Sequence, residues 1–265
     1  VGAVDGDEGA GGTRGSRPTP ARTVTAALAV TPDHLDLPAA LEPLVEYFRS
    51  ISGEHPDWDD YRAAIAAAAA ALVEDGMTVA VGAGTTTLEL ARLLRGRRVS
   101  VVTNSISIFH VLTDPDDAES DAAGSAAVQL TGGQRTPSDA LVGPVANAMV
   151  ERVRCDLGFL GCHGIDPVAG LTSPNIGEAE TNRRLIGSAR STVLLADHTK
   201  YGEIGAHLFA RFADADALIV DDGLGRAAAQ TLLDEGHQVI LHAREPGRLD
   251  AVRDLLDRGA QATIG

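Results

Sequence analysis

Residues 81–90, VGAGTTTLEL, place a glycine-rich turn and three consecutive threonines between an apolar run and an amphipathic run. This order predicts a buried strand, a tight turn and a helix that starts at the threonines. Gly82 and Gly84 let the backbone approach a ligand closely, and the N–H groups of a helix start can bind an anion. The alternative is a threonine N-cap, with glycines that serve only the turn. The stretch predicts a βα unit and leaves both interpretations of its turn open.

The same alternation continues along the chain from residue 57. Short apolar runs alternate with longer amphipathic runs, as strands and helices do in βαβ units. The predicted strands lie in MTVAVG, VSVVTN, AVQLTG, DLGFLG, STVLLAD, ALIVDD and QVILHA. The sequence therefore predicts an α/β fold with a Rossmann-like, mostly parallel sheet flanked by helices.

Composition shifts suggest how the chain is organised. Residues 1–22 are rich in Gly, Asp, Pro and Ser and have too little apolar surface to order themselves. We expect a flexible linker over residues 1–32 and a connecting helical segment over 33–56. The main domain is expected over residues 57–245, followed by a C-terminal helix and tail over 246–265.

Charge and cysteine usage exclude several classes of function. The formal charge is −15, with 22 Lys and Arg against 37 Asp and Glu and no basic run, which argues against a nucleic-acid surface on these residues. Cys155 and Cys162 are the only cysteines, which fits neither a disulfide framework nor a zinc site. The apolar run at residues 23–30 is too short to span a bilayer. We expect a cytoplasmic location and no membrane segment, metal or cofactor.

Polar loops follow the predicted strands, at the edge where parallel sheets bind ligands. Thr103, Asn104 and Ser105 form a TNS loop that could bind the same anion as the GTTT turn, or could cap the next helix. In ADHTKYG, Lys200 could supply a point charge for a phosphate, with Asp197 orienting the lysine or binding a hydroxyl. The alternative for ADHTKYG is a surface turn with a weak local ion pair.

The loop GCHGID mixes three chemically active side chains, Cys162, His163 and Asp166. The sequence offers neither a second ligand pair at zinc-like spacing nor a base beside Cys162. His163 could donate a hydrogen bond to a ligand, or could simply be exposed. The loop therefore predicts a ligand contact rather than a metal centre or a nucleophile.

The helical segment GEAETNRRL places Glu178 near Arg183 and Glu180 near Arg184 on a helix surface. Solvated ion pairs explain such a pattern. In the catalytic interpretation, a glutamate of this helix lies in a pocket and acts as the base. Sugar isomerisation needs such a carboxylate to move a proton between neighbouring carbons.

Taken together, these segments resemble the C-terminal effector-binding domain of the DeoR family of bacterial transcriptional regulators. The resemblance covers about residues 57–224, and its most specific segments are LTGGQRTPSDALVGPVA and VLLADHTKYG. It implies a fold shared with ribose-5-phosphate isomerase and glucosamine-6-phosphate deaminase and similar to CoA-transferases. It also implies that the domain senses phosphorylated sugars or related metabolites.

The resemblance also implies a set of ligand-binding residues. The GTTT and TNS loops would hold the phosphate, with Asp166 and Lys200 toward the sugar or its phosphate, and His163 is a further candidate from its loop. The implied set is Gly84, Thr85, Thr86, Thr87, Thr103, Asn104, Ser105, His163, Asp166 and Lys200. No catalytic residue is predicted.

The chain departs from the family pattern at two places. Cys162 and His163 stand where the family usually reads GADGID, and Thr181 and Asn182 stand where it usually reads EVKRAMI. The first change removes an acid and the second a lysine, which weakens the rival hypothesis of an active sugar-phosphate isomerase or deaminase. In that rival, Asp166, Glu178 or Glu180 would be the base. A third hypothesis is an oligomeric scaffold with a vestigial pocket.

The family's amino-terminal part is a winged helix-turn-helix, and residues 1–56 do not resemble it. VGAV at residues 1–4 resembles the end of the segment that closes that domain. We therefore expect that the chain begins just after a DNA-binding domain, and that operator DNA is contacted only through that missing domain. The alternative is a natural remnant without DNA-binding ability. We also expect a homo-oligomer.

Overall fold

A parallel β-sheet with helices on its faces forms the frame of the protein. The structure is a computed structural model that describes residues 22–26, 58–114, 126–220, 224, 226–234, 237–243, 257 and 261–264. In chain order the strands are β1 Arg22–Ala26, β2 Thr78–Val81, β3 Ser100–Thr103, β4 Ala127–Leu130, β5 Gln134–Arg135, β6 Leu141–Val142, β7 Cys155–Leu160, β8 Gly164–Asp166, β9 Gly170–Ser173, β10 Ala189–Leu195, β11 His207–Ala210, β12 Ala217–Val220, β13 His237–Ala243 and β14 Gln261–Ile264. The α-helices are α1 Trp58–Ala71, α2 Thr85–Leu93, α3 Ile106–Thr113, α4 Pro144–Val150, α5 Ile176–Ser188 and α6 Arg226–Asp234.

Within the described residues the main sheet has nine strands in the order β14-β13-β1-β12-β10-β7-β2-β3-β4, and every pairing is parallel. The predicted α/β class with a parallel sheet is confirmed. Val81 of β2 is level with Thr103 of β3 and with Phe159 of β7. The loops that follow these strands therefore meet at one edge of the sheet, where ligands bind in such folds.

In the strands β2, β3, β7, β10 and β12, neighbouring residues enter two different hydrophobic clusters, one on each face of the sheet. In β2, Val79 and Val81 pack into the cluster that contains Ile65 of α1 and Leu90 of α2. Ala80 enters the opposite cluster, which contains Leu185 of α5. Because both faces are covered, the strands read as continuous apolar runs, as buried parallel strands do.

The alanine run of α1 explains how closely this helix packs on the sheet. Ala66, Ala68 and Ala69 are fully buried, and their small side chains contribute to the same cluster as β2. Alanine is also the best helix former, so the run favours both the helix and its close approach.

Short antiparallel strands, which the sequence pattern did not reveal, stand beside the main sheet. β8, β9 and β11 form one small sheet in the order β11-β9-β8, and β5 pairs with β6 as a hairpin. Asp166 closes the turn between β8 and β9, where its Oδ1 accepts hydrogen bonds from the N–H groups of Val168 at 2.8 Å and Ala169 at 2.6 Å. These strands extend the chain beyond the ends of β7 and β10.

Two predicted boundaries need correction. Arg22–Ala26, inside the linker expected over residues 1–32, forms β1 between β12 and β13, because Thr23, Val24 and Thr25 favour strands and two parallel partners bond it. Gln261–Ile264, inside the expected C-terminal helix and tail, forms β14 beside β13. The connecting segment over 33–56 and the predicted helix after residue 246 lie outside the described residues, apart from Asp257.

No helix in the described part of the chain combines the length and apolar character that crossing a bilayer requires.

Candidate functional site

A cavity of about 570 Å³ opens where the loops after β2, β7 and β10 converge. This volume lies within the range of small-molecule sites. The lining residues are Ala83, Gly84, Thr85, Thr86, Pro137, Ser138, Gly161, Cys162, His163, Ser173, Pro174, Asn175, Glu178, Asn182, Leu195, Ala196, Asp197 and Lys200. Of the ligand-binding residues predicted from the sequence, the cavity brings together Gly84, Thr85, Thr86, His163 and Lys200. Thr87, Thr103, Asn104, Ser105 and Asp166 are not part of this lining.

The start of α2 forms one wall of the cavity, and no side chain caps it. Gly84 occupies the N-cap position, and its carbonyl accepts the first helical hydrogen bond from the N–H of Leu88 at 3.0 Å. The N–H groups of Thr85, Thr86 and Thr87 precede that bond and have no acceptor within the helix. The threonines thus form the first turn of the helix and are not its cap. The helix dipole and these N–H groups favour an anion at this wall.

The starts of α3 and α5 differ from that of α2. Ser105 caps α3, where its Oγ accepts a hydrogen bond from the N–H of Ile108 at 3.2 Å. Asn175 caps α5, where its Oδ1 accepts from the N–H groups of Gly177 at 2.8 Å and Glu178 at 3.2 Å. For Ser105, the capping interpretation of the TNS loop therefore matches the structure.

Thr103 and Asn104 of the TNS loop fix the position of the GTTT turn from behind. Thr103 Oγ1 donates to the carbonyl of Val81 at 2.7 Å. Asn104 Oδ1 accepts from the N–H of Ala83 at 2.9 Å, and its Nδ2 donates to the carbonyl of Leu141 at 3.3 Å. Both side chains are buried. The TNS loop therefore shapes the cavity by holding the turn that lines it.

Asn104→Ala is expected to lower the free energy of unfolding by about 2 kcal/mol, because it leaves two backbone groups without their buried partners. Urea denaturation measures this change. Asn182→Ala is the matched control, since Asn182 lines the cavity on helix α5, and we expect a change of no more than about 0.5 kcal/mol there. Equal denaturation midpoints for wild type and Asn104→Ala would contradict the structural role of Asn104.

The loop after β7 contributes a neutral thiol and an exposed imidazole. Cys162 lines the cavity, and burial raises the pKa of its thiol to about 12, against the opposing effect of the Lys200 charge. At neutral pH the sulfur therefore carries its proton and is a poor nucleophile. His163 is exposed, and its backbone N–H donates to the carbonyl of Thr172 at 3.2 Å.

The loop after β10 brings a lysine to the cavity. Asp197 is buried and caps a short 3₁₀ helix, His198–Lys200, where its Oδ1 accepts from the N–H of Thr199 at 3.1 Å. Lys200 is half-buried and lines the same cavity as the start of α2. It is also the only lysine among the 22 Lys and Arg residues of the chain. A compact ammonium, rather than a guanidinium, thus lines the same cavity as the uncapped helix start, which favours an anion.

The cavity also includes a carboxylate that the sequence left undecided. Glu178 Oε1 accepts a hydrogen bond from Ser138 Oγ at 2.5 Å, and its Oε2 accepts from Ser173 Oγ at 3.5 Å. Sequence reasoning missed both serines, although each lies in a Ser- and Pro-containing turn of the matched segments. Of the candidate bases Asp166, Glu178 and Glu180, only Glu178 lines the cavity.

Glu180 lies away from the cavity lining and forms ion pairs. Its carboxylate bonds Arg183 at 2.8 Å and Arg184 at 2.6 Å, and the hydrogen bond from Arg184 lowers the pKa of Glu180. The predicted pair Glu180–Arg184 is confirmed. Arg183, expected beside Glu178, instead bonds Glu180. Solvated ion pairs therefore explain this part of the helix.

Among the described residues, no group of three or more His, Cys, Asp or Glu side chains is placed to hold a metal ion.

Comparisons with known proteins identify the class of protein. Residues 59–222 match the family model of the DeoR C-terminal sensor domain. The chain is 35% identical over 179 residues to the HTH-type transcriptional regulator GlpR of Haloferax volcanii, which covers 67% of each chain. It is 32% identical over 158 residues to a lactose phosphotransferase system repressor of Staphylococcus aureus, covering 59% of this chain and 60% of the relative.

The chain belongs to the DeoR C-terminal sensor domain family, since the matched residues make up more than half of its length. It is thus a ligand-sensing domain of a transcriptional regulator. It spans only about 60 to 67% of the length of the curated relatives it matches.

A structural comparison adds a likeness of fold alone. Ribose 5-phosphate isomerase A of Methanocaldococcus jannaschii superposes with a TM-score of 0.39 at 18% identity, covering 55% of each chain.

Proposed function

We propose that this domain binds a phosphorylated sugar or a related small anion in the cavity beside α2, and that binding changes the DNA affinity of the regulator to which it belongs. The DNA contacts would come from a helix-turn-helix domain elsewhere in that regulator. Differential binding of the metabolite to two conformational or oligomeric states would carry the signal, and we include a homo-oligomer in the proposal. We include a cytoplasmic location in the proposal, because cysteine usage favours a reducing compartment and a transcriptional regulator acts on the chromosome.

One observation carries the proposal: the uncapped start of α2 and the ammonium of Lys200 line the same cavity. A phosphate placed there would accept hydrogen bonds from first-turn N–H groups and a charge-assisted bond from Lys200. The hydroxyls of Thr85 and Thr86 are further donors on the same wall. The neighbouring cavity volume has room for the rest of a sugar.

Sensing is favoured over turnover by the side chains around the cavity. Of the three carboxylates considered as bases, Asp166 closes a turn and Glu180 pairs with arginines. Glu178 remains, and Cys162, which also lines the cavity, is protonated at neutral pH. The second carboxylate on the described cavity lining, Asp197, is bonded through its Oδ1 within its own turn, so Glu178 has no second free carboxyl group there to share a proton transfer. We therefore propose that the bound ligand is held without reaction.

Because Lys200 is the only lysine, amine acetylation offers a direct test. We expect glycerol 3-phosphate, ribose 5-phosphate or glucose 6-phosphate to slow acetylation of Lys200 about tenfold or more, since a bound phosphate shields the amine. The N-terminal amine is an internal control that the ligand leaves unchanged. Mass spectrometry of both sites gives the two rates.

The unphosphorylated sugars serve as ligand controls and should give no protection. If none of the phosphate esters changes the acetylation rate of Lys200, the proposal is wrong. Conversion of ribose 5-phosphate by the wild type, lost in Glu178→Gln, would overturn the sensing role in favour of the isomerase hypothesis.

A further inference from the structure

The charges on the cavity lining are uneven. Lys200 is the one ammonium on the lining, whereas Glu178 and Asp197 contribute two carboxylates. The thiol of Cys162 remains neutral at physiological pH. The uncapped start of α2 adds a partial positive charge to the lining, whereas the start of α5, the helix that carries Glu178, has its first N–H groups bonded by Asn175. The cavity is therefore suited to one anionic group and is unfavourable for a second.

Glu178 differs from the other glutamate of its helix turn. Within the described residues no arginine or lysine pairs with Glu178, and its hydrogen-bond donors are the hydroxyls of Ser138 and Ser173. Glu180, two positions along, is neutralised by Arg183 and Arg184. Glu178 thus presents an unneutralised carboxylate to the cavity. Such a group accepts hydrogen bonds from hydroxyl or ammonium groups and repels carboxylates and phosphates.

We propose that Glu178 is the specificity-determining residue of the site, and that it selects monophosphates whose remaining groups are hydroxyls or a protonated amine. Phosphorylated sugar acids and bisphosphates are excluded, because their second anion would lie against Glu178. This is selection by repulsion as well as by attraction. The inference rests on the proposed function, since it assumes that the phosphate occupies the α2 and Lys200 wall.

The test is a charge series on one carbon skeleton, measured by isothermal titration calorimetry with the whole chain. Glucosamine 6-phosphate, glucose 6-phosphate and 6-phosphogluconate carry an amine, a hydroxyl and a carboxylate in addition to the same phosphate. We expect affinity to fall in that order, with 6-phosphogluconate at least about tenfold weaker than glucose 6-phosphate. Glycerol 3-phosphate against 3-phosphoglycerate is a smaller pair with the same contrast.

Glu178→Gln is expected to reduce the differences in affinity within the series, because the repelling charge is removed. The affinities for the neutral and the acidic ligands should then differ by no more than about threefold. Glu180→Gln is the matched control on the same helix and keeps the wild-type order. Thermal unfolding of each variant without ligand shows whether it is folded. If Glu178→Gln does not fold, the order of ligand affinities measured for the wild type decides whether the cavity rejects a second anion.

The outcomes separate the two proposals. If 6-phosphogluconate or 3-phosphoglycerate binds the wild type as tightly as its neutral partner, the role of Glu178 is overturned and the proposed phosphate site stands. An unchanged series in a folded Glu178→Gln variant overturns it as well. If none of the five compounds binds, the proposed function fails, and this inference fails with it.

Discussion

Lys200→Ala is expected to weaken phosphate-ester binding roughly tenfold to hundredfold, which is the effect of losing one charge-assisted hydrogen bond. The free energy of unfolding should stay close to the wild-type value, because Lys200 is half-buried at the cavity wall and is not part of either hydrophobic cluster. Calorimetric titration with whichever phosphate ester protects Lys200 from acetylation measures the loss. Lys200→Arg keeps the charge but enlarges the head group, and we expect it to recover only part of the affinity.

Arg190→Ala is the matched control for this experiment. Arg190 is exposed at the opposite end of β10 from Lys200, so the variant removes the same net charge far from the cavity. Its affinity should remain within about twofold of wild type, as expected for a distant, solvent-screened charge. Equal losses in Lys200→Ala and Arg190→Ala would mean that overall charge, and not the cavity, governs binding.

Gly164→Ala should destabilise the domain by about 3 kcal/mol, at the upper end of the usual cost of overpacking. A Cβ at this position would lie 2.0 Å from the carbonyl oxygen of Glu203 and 3.0 Å from Thr172 Oγ1. The opposing segment is backbone that hydrogen bonds tie to β8 and β9, from Gly202 N–H to the carbonyl of Ile165 at 2.7 Å and from Gly205 N–H to Thr172 Oγ1 at 2.8 Å. The segment after Lys200 must move to relieve this steric clash. Because that movement would displace Lys200, ligand affinity should fall too.

Gly187→Ala provides a control of opposite sign. Gly187 is exposed near the end of α5, and a Cβ there would meet no atom within 4 Å. Alanine in a helix is preferred over glycine, so we expect a gain of about 0.5 kcal/mol in the free energy of unfolding. Urea denaturation of both variants gives the two values. A Gly164→Ala variant as stable as wild type would show that the contact with Glu203 is not tight.

The centre of the sheet could be predicted because β2, β3, β7, β10 and β12 are buried on both faces and therefore read as apolar runs. The residues of β2 and β7 carry that pattern plainly. β1 is different, since it directly follows the Gly-, Asp-, Pro- and Ser-rich residues 1–21 and so looks like the end of a linker, whereas its pairing with β12 and β13 makes it part of the sheet. The three or four residues of β8, β9 and β11 are too few to establish a period. Their pairing depends on contacts that the local sequence does not encode.

The candidate site was predicted in part, for similar reasons. The GTTT turn and Lys200 were identified because they follow buried strands. The role of Asn104 could not be predicted, since its bond to the N–H of Ala83 joins residues 21 positions apart and depends on the register of β2 and β3. Glu178 and Glu180 look equivalent in the sequence. Only the packing of α5, with Thr181 and Leu185 buried, turns the first toward the cavity.

The cavity lining comes from chain segments that extend from Ala83 to Lys200 and converge only when the whole sheet has formed. A ligand in the cavity therefore binds the folded domain and not its unfolded chain. Ligand present at 100 times its Kd would add about 2.7 kcal/mol to the free energy of unfolding. The unfolded fraction, on which cellular proteases act, would fall accordingly. On the proposed function, a metabolite bound at this site would therefore lengthen the lifetime of its own receptor.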